Sequence, residues 1–202
     1  MAVEIKFDAN QQFQRDAIDR VVELFAGQDG AAQGFTTAAL DAGGTLDEFR
    51  DLVFGNSLNL TGTTIETNLR RVQDTPILQP DGSESAAVPE HLRQPFDGDA
   101  LDFSVEMETG TGKTYVYLRS IAELHRRYGF AKFVVVVPSV AIREGVLSSL
   151  RLLKSHIRDL YDGLQFDFSV YDSRALTRVR QFATASHLQI LVMNIDAFTK
   201  DT

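Results

Sequence analysis

The sequence has no cysteine, only four histidines, and no apolar run that approaches the length of a membrane-spanning segment. Without cysteine, neither a disulfide nor a cysteine-based zinc site can form. The histidines show no spacing typical of metal ligands; they are His91, His125, His156 and His187. The amino-terminal stretch carries an acid within its short apolar segment and has no signal-peptide core. We therefore expect a cytoplasmic protein that does not associate with a membrane.

The composition is that of a globular protein: 202 residues, 44% hydrophobic and 24% charged. This length suffices for one sizeable core, or for one domain with a small subdomain. The net charge of −8 taken alone disfavours a nucleic-acid partner, but the charge is unevenly distributed. Residues 1–118 carry a net charge of −12, whereas residues 119–180 carry +5. This asymmetry permits a basic surface on an acidic protein, and an ordinary solvated surface is the alternative.

The first hundred residues have helical patterns interrupted by loops, and they contain four of the five prolines. The elements predicted there are a strand near 3–7, a helix over 10–26, a short helix opened by a capping box at 45–48 and running past Leu52 and Val53, and a helix opened by a second capping box at 63–66. We expect three regions: an amino-terminal segment (1–26), an insertion of small helices and loops (27–100), and an α/β core (101–202).

After residue 100 the pattern alternates between strand and helix. The predicted strands are 102–107, 132–138, 166–171 and 188–193, and the predicted helices are 113–128 and 140–160. The run from Phe133 to Val137 is apolar without alternation, as expected for a strand covered on both faces. The order predicts an α/β fold with a mainly parallel sheet, helices on both faces, and a site at the carboxyl ends of the strands.

The motif METGTGKT occupies residues 107–114, between the first predicted strand and its helix. Gly110 and Gly112 allow the backbone to curl so that its N–H groups face an anion. Lys113 supplies a charge for the β- and γ-phosphates, and the Thr114 hydroxyl can bind Mg²⁺. The predicted nucleotide contacts are Gln14, Thr109, Gly110, Thr111, Gly112, Lys113 and Thr114. The first position is Met107 instead of glycine, and the alternative is a glycine-rich turn without a ligand.

The helix predicted over 140–160 has two stripes. The apolar stripe that we expect in the core comprises Ile142, Val146, Leu150, Leu153 and Ile157. The basic stripe comprises Arg143, Arg151, Lys154 and Arg158. Because this helix follows Ser139 at a strand end, the basic stripe could follow a phosphate backbone. The alternative is a solvated helix face.

Two further positions bear on nucleotide chemistry. The Gln14 amide can both donate to and accept from an adenine edge, although Gln11 and Gln12 are nearby competitors and a surface glutamine is the alternative. A nucleotide hydrolase also needs a carboxylate at the end of an apolar strand to hold Mg²⁺. After the strand predicted at 188–193 that place is taken by Asn194, with Asp196 two residues later as a possible substitute.

Four segments, in order, resemble motifs of superfamily 2 helicases and translocases, and most closely the restriction (Res) subunit of type III restriction-modification enzymes. Residues 13–18 are similar to the Q-motif, and residues 107–114 are similar to motif I in the form that has Met first. Residues 137–145 resemble motif Ia, and residues 191–198 resemble the segment before the Asp-Glu box of motif II.

The resemblance implies a P-loop RecA-like domain that uses ATP and Mg²⁺ and acts on DNA, with a methyltransferase (Mod) subunit as partner. It implies that Gln14 selects adenine, that Lys113 and Thr114 serve catalysis, and that Ser139 and Arg143 contact DNA phosphates.

Because the sequence ends before motif II, the resemblance also implies an incomplete sheet. We expect the isolated chain to be poorly stable or self-associating and inactive in ATP hydrolysis. The alternatives are another superfamily 2 DNA or RNA helicase, a P-loop nucleotide or metabolite kinase, and a fragment that binds neither nucleotide nor DNA tightly.

Overall fold

The computed structural model describes residues 7–30, 33–37, 52–76, 83–84, 87–93, 96–98, 101–172 and 175–197. The helices are α1 (Gln12–Glu23), α2 (Gly62–Asp74), α3 (Lys113–Tyr128), α4 (Val140–Leu160) and α5 (Leu176–Thr184), with short 3-10 turns at Glu90–Leu92 and Ile195–Ala197. The strands are β1 (Gln33–Thr37), β2 (Leu52–Asn56), β3 (Lys132–Val137), β4 (Phe166–Val170) and β5 (Leu188–Asn194). The chain divides into two compact units, residues 1–28 with 59–123 and residues 29–58 with 124–202. Within the described residues, no helix is both long and apolar enough to cross a membrane.

In the first unit, α1 and α2 bury the apolar side chains Ile18, Val22, Ile65 and Leu69. Polar side chains connect the two helices. The buried Asn68 amide donates to the Leu24 and Ala26 carbonyls at 3.1 and 2.9 Å. Arg20 donates to carbonyls at the end of α2, including that of Thr75 at 2.7 Å. These bonds satisfy main-chain acceptors that a helix end leaves unpaired.

Two of the three helices predicted in the amino-terminal half exist, as α1 and α2, but the predicted start of α2 was wrong. The N-cap of α2 is Thr61, two residues before the predicted box, and its hydroxyl accepts from the Thr64 N–H at 3.2 Å. In α1, Phe13 is 46% exposed, whereas Gln14 is buried. The buried face of α1 is Gln14, Ile18 and Val22, which repeat every four residues.

In the second unit, the three parallel strands lie in the order β3-β5-β4. The central strand β5 is buried from Leu188 to Met193. Helix α4 buries Val146, Leu147, Leu150, Leu153 and Ile157. A parallel sheet flanked by helices confirms the predicted α/β class and agrees with a RecA-like domain. The predicted core residue Ile142 is instead 51% exposed, because it lies in the first turn of α4 before the buried stretch begins.

Two strand predictions were wrong. The valines of β3 are not covered on both faces: Val134 and Val136 are 50% and 45% exposed. Among the described strands, β3 lies at the edge of the sheet and pairs with β5 alone. Residues 102–107 form no strand, and Val105 is 51% exposed. A strand requires a neighbour for its backbone N–H and C=O groups, and no described strand pairs with this segment.

The predicted helix through Leu52 and Val53 was also wrong. Residues 52–56 form β2, which pairs antiparallel with β1 from Gln33 opposite Asn56 to Thr37 opposite Leu52. A local capping signal yields to tertiary pairing here. The predicted capping box at 45–48, and all of the predicted strand near 3–7 except residue 7, lie outside the described residues; residue 7 is not in a strand. Helix α5 was not predicted.

The side chain of Asn56, the last residue of β2, bonds to the backbone at the start of β3. Asn56 Oδ1 accepts from the backbone N–H groups of Ala131 and Lys132 at 2.8 and 3.0 Å, and its Nδ2 donates to the Lys132 carbonyl at 2.7 Å. The amide therefore takes the place of a neighbouring backbone where β3 begins.

Candidate functional site

Residues 107–114, here called the glycine loop, turn directly into α3. Gly110 and Gly112 have φ angles of +85° and +87°, a left-handed conformation that costs other residues strain. Helix α3 begins at Lys113, and the Val116 N–H donates to the Gly112 carbonyl at 3.0 Å. The N–H groups of the first helical turn have no carbonyl four residues earlier within the helix, so they can bind an anion.

The carbonyl of Glu108 organises the loop. It accepts from the Thr111 hydroxyl at 2.6 Å, from the Thr111 N–H at 3.5 Å and from the Lys113 ammonium at 2.7 Å. Lys113 therefore folds back across the loop. In the described part of the chain its partner is a neutral main-chain carbonyl and not a carboxylate, so its positive charge is not compensated there.

Gln14 reaches the glycine loop from α1, although it lies 97 residues before Thr111 in the sequence. Its Nε2 donates to the Thr111 carbonyl at 2.9 Å, and only 7% of the residue is exposed. A Cβ added at Gly112 would lie 2.7 Å from this nitrogen. Gln14 Oε1 is buried and has no hydrogen-bond partner among the described residues. Buried acceptors of this kind are costly and uncommon.

The competing glutamines are placed differently. Gln11 and Gln12 are exposed, and Gln12 Nε2 donates to the Asp16 carboxylate at 2.7 Å. Of the three candidates, only Gln14 has a hydrogen bond to the glycine loop.

Three side chains connect the start of the described chain to α3 and so position α1. Phe7 stacks on Tyr115 with ring centroids 6.1 Å apart and planes 14° apart. The Arg119 guanidinium lies 5.6 Å from the centre of the Tyr115 ring and donates to the Ala9 carbonyl at 2.8 Å. Burial raises the pKa of the Tyr115 phenol, and Arg119 opposes that increase. These contacts hold the segment before Gln14 against the helix that follows the glycine loop.

The donor set of the loop can be compared with the needs of Mg²⁺. Thr114 lies half-buried in the first turn of α3, and Thr109 is exposed. The described residues contain no group of three His, Asp or Glu side chains that could hold a metal. Mg²⁺ in nucleotide sites characteristically takes one or two protein oxygens together with phosphate oxygens. A single hydroxyl at Thr114 fits that pattern.

A second polar group, here called the strand-end cluster, comprises Arg143, Glu144, Asn194 and Asp196. Arg143 Nη1 donates to Asn194 Oδ1 at 3.3 Å, and its Nη2 lies 3.1 Å from the Glu144 carboxylate. Asn194 Nδ2 donates in turn to Asp196 Oδ2 at 3.4 Å. The Arg143 side chain is only 21% exposed. Asn194 is the last residue of β5, at the place where a nucleotide hydrolase needs a carboxylate.

Ser139 and the basic stripe complete the description of α4. Ser139 is the N-cap of α4, and its Oγ accepts from the Ile142 N–H at 3.3 Å. Lys154 lies 3.3 Å from the Asp167 carboxylate, and Arg158 lies 3.6 Å from that of Asp159. Because these cations have acidic neighbours, the solvated-face interpretation fits the carboxyl-terminal part of the stripe.

Comparison with known proteins gives the family. The model of the type III restriction enzyme, res subunit, matches residues 58–202, a range that includes both the glycine loop and the strand-end cluster. The chain belongs to this family. Gln14 lies before the matched range.

Three curated relatives are Res subunits of type III restriction-modification enzymes. The EcoPI Res subunit of Escherichia phage P1 is 27% identical over 164 residues, which are 80% of this chain and 14% of the relative. The StyLTI Res subunit of Salmonella typhimurium is 41% identical over 78 residues, 38% of this chain and 8% of the relative. The EcoP15I Res subunit of Escherichia coli is 46% identical over 73 residues, 35% and 8% respectively. The matched segments are thus a small part of these Res subunits.

Sequence reasoning missed three contributors to these sites. The Glu108 carbonyl carries no side-chain signal. Arg119 could have been noticed as a cation one helical turn after Tyr115. The bond between Asn194 and Arg143 joins residues 51 apart in sequence, and only the pairing of β3 with β5, which sets Val137 opposite Asn194, brings them together.

Proposed function

We propose that this chain is the ATP-binding part of an ATP-dependent DNA translocase or helicase motor in a type III restriction endonuclease. One observation carries the proposal. A left-handed glycine loop opens a long helix, presents an ammonium group that no described carboxylate neutralises, and contacts a buried amide with a free acceptor. Membership in the Res family supports the same conclusion.

The loop would hold the polyphosphate. Backbone N–H groups from Thr109 to Gly112 would face its oxygens, and Lys113 would leave the Glu108 carbonyl for the β- and γ-phosphates. Because that carbonyl is neutral, this exchange breaks no ion pair. Thr114 would provide its hydroxyl to Mg²⁺, and the bound metal and nucleotide together supply the phosphoryl-transfer chemistry.

Gln14 would recognise the base. Its Oε1 has no donor among the described residues but is buried, so the amide would turn toward the nucleotide before Oε1 accepts from the exocyclic amine of adenine. Guanine presents a carbonyl at the corresponding position, which would set one acceptor against another. This arrangement would favour ATP over GTP.

The remaining assignments concern the whole protein. Ser139 and Arg143 would contact DNA phosphates. The relatives are Res subunits of restriction-modification enzymes, which suggests assembly into such an enzyme, and the family resemblance implies a Mod subunit as the partner. We propose that this chain alone does not hydrolyse ATP appreciably. Asn194 offers an amide at the end of β5, where hydrolysis requires a carboxylate for the metal.

The test is a thermal shift with a non-hydrolysable ATP analogue and Mg²⁺. Ligand at one hundred times its Kd should stabilise the chain by about 2.7 kcal/mol. Lys113→Ala should abolish most of this shift, whereas Lys154→Ala, which removes the same charge outside the loop, should not. An unchanged melting temperature of the unaltered chain would overturn nucleotide binding, and equal shifts in both variants would overturn the role of Lys113 in it. Turnover by the unaltered chain that Lys113→Ala abolishes would contradict its inactivity.

A further inference from the structure

We propose that Glu144 occupies Arg143 until a DNA phosphate displaces it, and that Asn194 positions the arginine for this exchange. The inference rests on the proposed function and concerns how the strand-end cluster is regulated. It begins from a conflict between a predicted role and the observed contacts. A residue assigned to phosphate binding is mostly buried and is already paired with a carboxylate.

The charge of the cluster supports this interpretation. Arg143 carries one positive charge, whereas Glu144 and Asp196 each carry a negative charge, so the four residues together have a net charge of −1. An approaching phosphate would meet repulsion from both acids. Without the charge of Glu144, the net charge of the cluster would be zero. One edge of the Arg143 guanidinium would then be open to a new acceptor.

The two partners of Arg143 differ in how readily they can leave. Glu144 is 57% exposed and is adjacent to Arg143 in α4, so its side chain can turn into solvent. Because one partner is this exposed, solvent weakens the attraction within the pair. Asn194 is half-buried at the end of the central strand β5, so its backbone is held by the sheet.

Asp196 fixes the direction of the Asn194 amide. Nδ2 donates to the Asp196 carboxylate, which leaves Oδ1 facing the Arg143 guanidinium. A reversed amide would place its NH₂ group against the guanidinium and its oxygen against the carboxylate, and both contacts would be unfavourable. Asn194 is therefore a positioning residue: it holds one edge of Arg143 while Glu144 occupies another.

Ser139 lies one helical turn before Arg143. Its Oγ accepts the Ile142 N–H as the helix cap, so the hydroxyl proton remains available as a donor. A phosphate that replaces Glu144 would meet the Ser139 hydroxyl and the first N–H groups of α4 together with Arg143.

The test measures how tightly the chain binds a short fluorescein-labelled DNA duplex, by fluorescence anisotropy over a series of salt concentrations. Glu144→Gln should tighten binding by up to about fivefold, the upper limit expected when a weak ion pair with an exposed partner is removed. Asp159→Asn is the matched control, because Asp159 is also adjacent to an arginine on α4 and its substitution removes the same charge. It should change binding less than Glu144→Gln does.

Two further variants separate release of Arg143 from a general charge effect. Arg143→Ala should weaken binding and lower the slope of log K against log salt by about one. In the Arg143→Ala chain, Glu144→Gln should increase DNA affinity by no more than Asp159→Asn does, because the arginine that Glu144 would release is absent. Asn194→Ala should weaken binding although it removes no charge.

The outcomes distinguish the inference from the proposed function. Equal effects of Glu144→Gln and Asp159→Asn, with Arg143→Ala still weakening binding, would overturn the inference and leave Arg143 as a DNA contact. Full persistence of the Glu144→Gln gain in the Arg143→Ala background would also overturn it. Absence of salt-dependent DNA binding by the chain and every variant would overturn both the inference and the DNA role on which it rests.

Discussion

The glycine loop and the strand-end cluster each place a cation at the start of a long helix, but they partner it differently. Lys113 opens α3 and donates to a main-chain carbonyl, whereas Arg143 lies in the first turn of α4 between a carboxylate and an amide. A ligand can take Lys113 without breaking an ion pair. A ligand for Arg143 must replace Glu144. The first site is therefore ready for an anion, and the second is charge-compensated.

The two sites also differ in how the chain assembles them. The loop depends on contacts between neighbours, such as Glu108 with Thr111 and Lys113, and on one distant side chain, Gln14. The cluster depends on strand pairing that brings Arg143 and Asn194 together. For substitutions in the loop, local geometry should therefore determine the change in nucleotide affinity. For substitutions in the second unit, the change in charge should determine the effect.

The largest effect is expected for Gly112→Ala. A left-handed backbone costs a residue with a Cβ about 1–2 kcal/mol, which corresponds to about five- to thirtyfold in an equilibrium constant. At Gly112 the added Cβ would also lie 2.7 Å from Gln14 Nε2, so the side chain that supports the loop must move. We expect Gly112→Ala to abolish measurable binding of the ATP analogue in calorimetry.

Gly110→Ala is the matched control for this substitution. Gly110 has nearly the same φ angle, but a Cβ there would meet no atom within 4 Å. The Gly110→Ala variant should suffer the backbone strain alone, so it should still bind the ATP analogue, but more weakly than the unaltered chain. If the two variants lose the same affinity, contact with Gln14 contributes nothing to the loop, and the comparison between a locally built site and an assembled one loses its main support.

A smaller effect is expected for Gln14→Ala, and it should appear in base selectivity more than in stability. The substitution removes one hydrogen bond to the Thr111 carbonyl but also removes a buried acceptor that has no donor, so the two effects on folding oppose each other. A base contact equivalent to one net hydrogen bond should change the ratio of ATP-analogue to GTP-analogue affinity by about two- to tenfold. Calorimetric titrations with both analogues measure it.

Gln12→Ala serves as the control for Gln14→Ala, since Gln12 is exposed on the same helix and contacts Asp16 instead of the loop. It should leave the ratio unchanged. If Gln14→Ala and the unaltered chain have the same ratio of ATP-analogue to GTP-analogue affinity, Gln14 does not recognise the base and only supports the loop.

The two sites explain why sequence reasoning succeeded in one place and failed in another. Helices α3 and α4 start and end where their patterns predicted, at Lys113–Tyr128 and Val140–Leu160, because glycine, Ser139 and apolar periodicity act within a few residues. The strand β5 was also apparent from its apolar run at 190–193, which is buried at the centre of the sheet.

The failures share a different cause, namely dependence on a partner distant in sequence. The segment 102–107 has a strand-like composition but no described neighbour, and Leu52–Asn56 became a strand because β1 pairs with it. Gln14 was separable from Gln11 and Gln12 only by its contact with Thr111. The partners of Arg143 were hidden for the same reason. Local motifs identified the candidate residues, whereas pairing determined their contacts.

The smallest effect is expected for the acid stability of the chain, through the ion pairs of Asp167 in the edge strand β4. The Asp167 carboxylate lies 2.9 Å from His187 Nε2 and 3.3 Å from Lys154 Nζ. The hydrogen bond with His187, followed by the contacts with Lys154, lowers the pKa of Asp167 despite some burial. Since the folded pKa lies below the unfolded one, the unfolded chain binds more protons in that acid range, and stability rises with pH across it.

The contribution of Asp167 should therefore be present above the unfolded pKa and be lost as the pH falls through the folded pKa. Melting temperatures measured from about pH 3 to pH 6 should fall less steeply toward acid in Asp167→Asn than in the unaltered chain. The difference should be small because the carboxylate is 62% exposed. Asp162→Asn removes an exposed acid outside this contact, at a positive φ that asparagine tolerates, and should preserve the acid slope. An equal flattening in both variants would mean that the charge alone, and not its partners, determines acid stability here, so the second unit would lack the specific compensation that distinguishes it from the glycine loop.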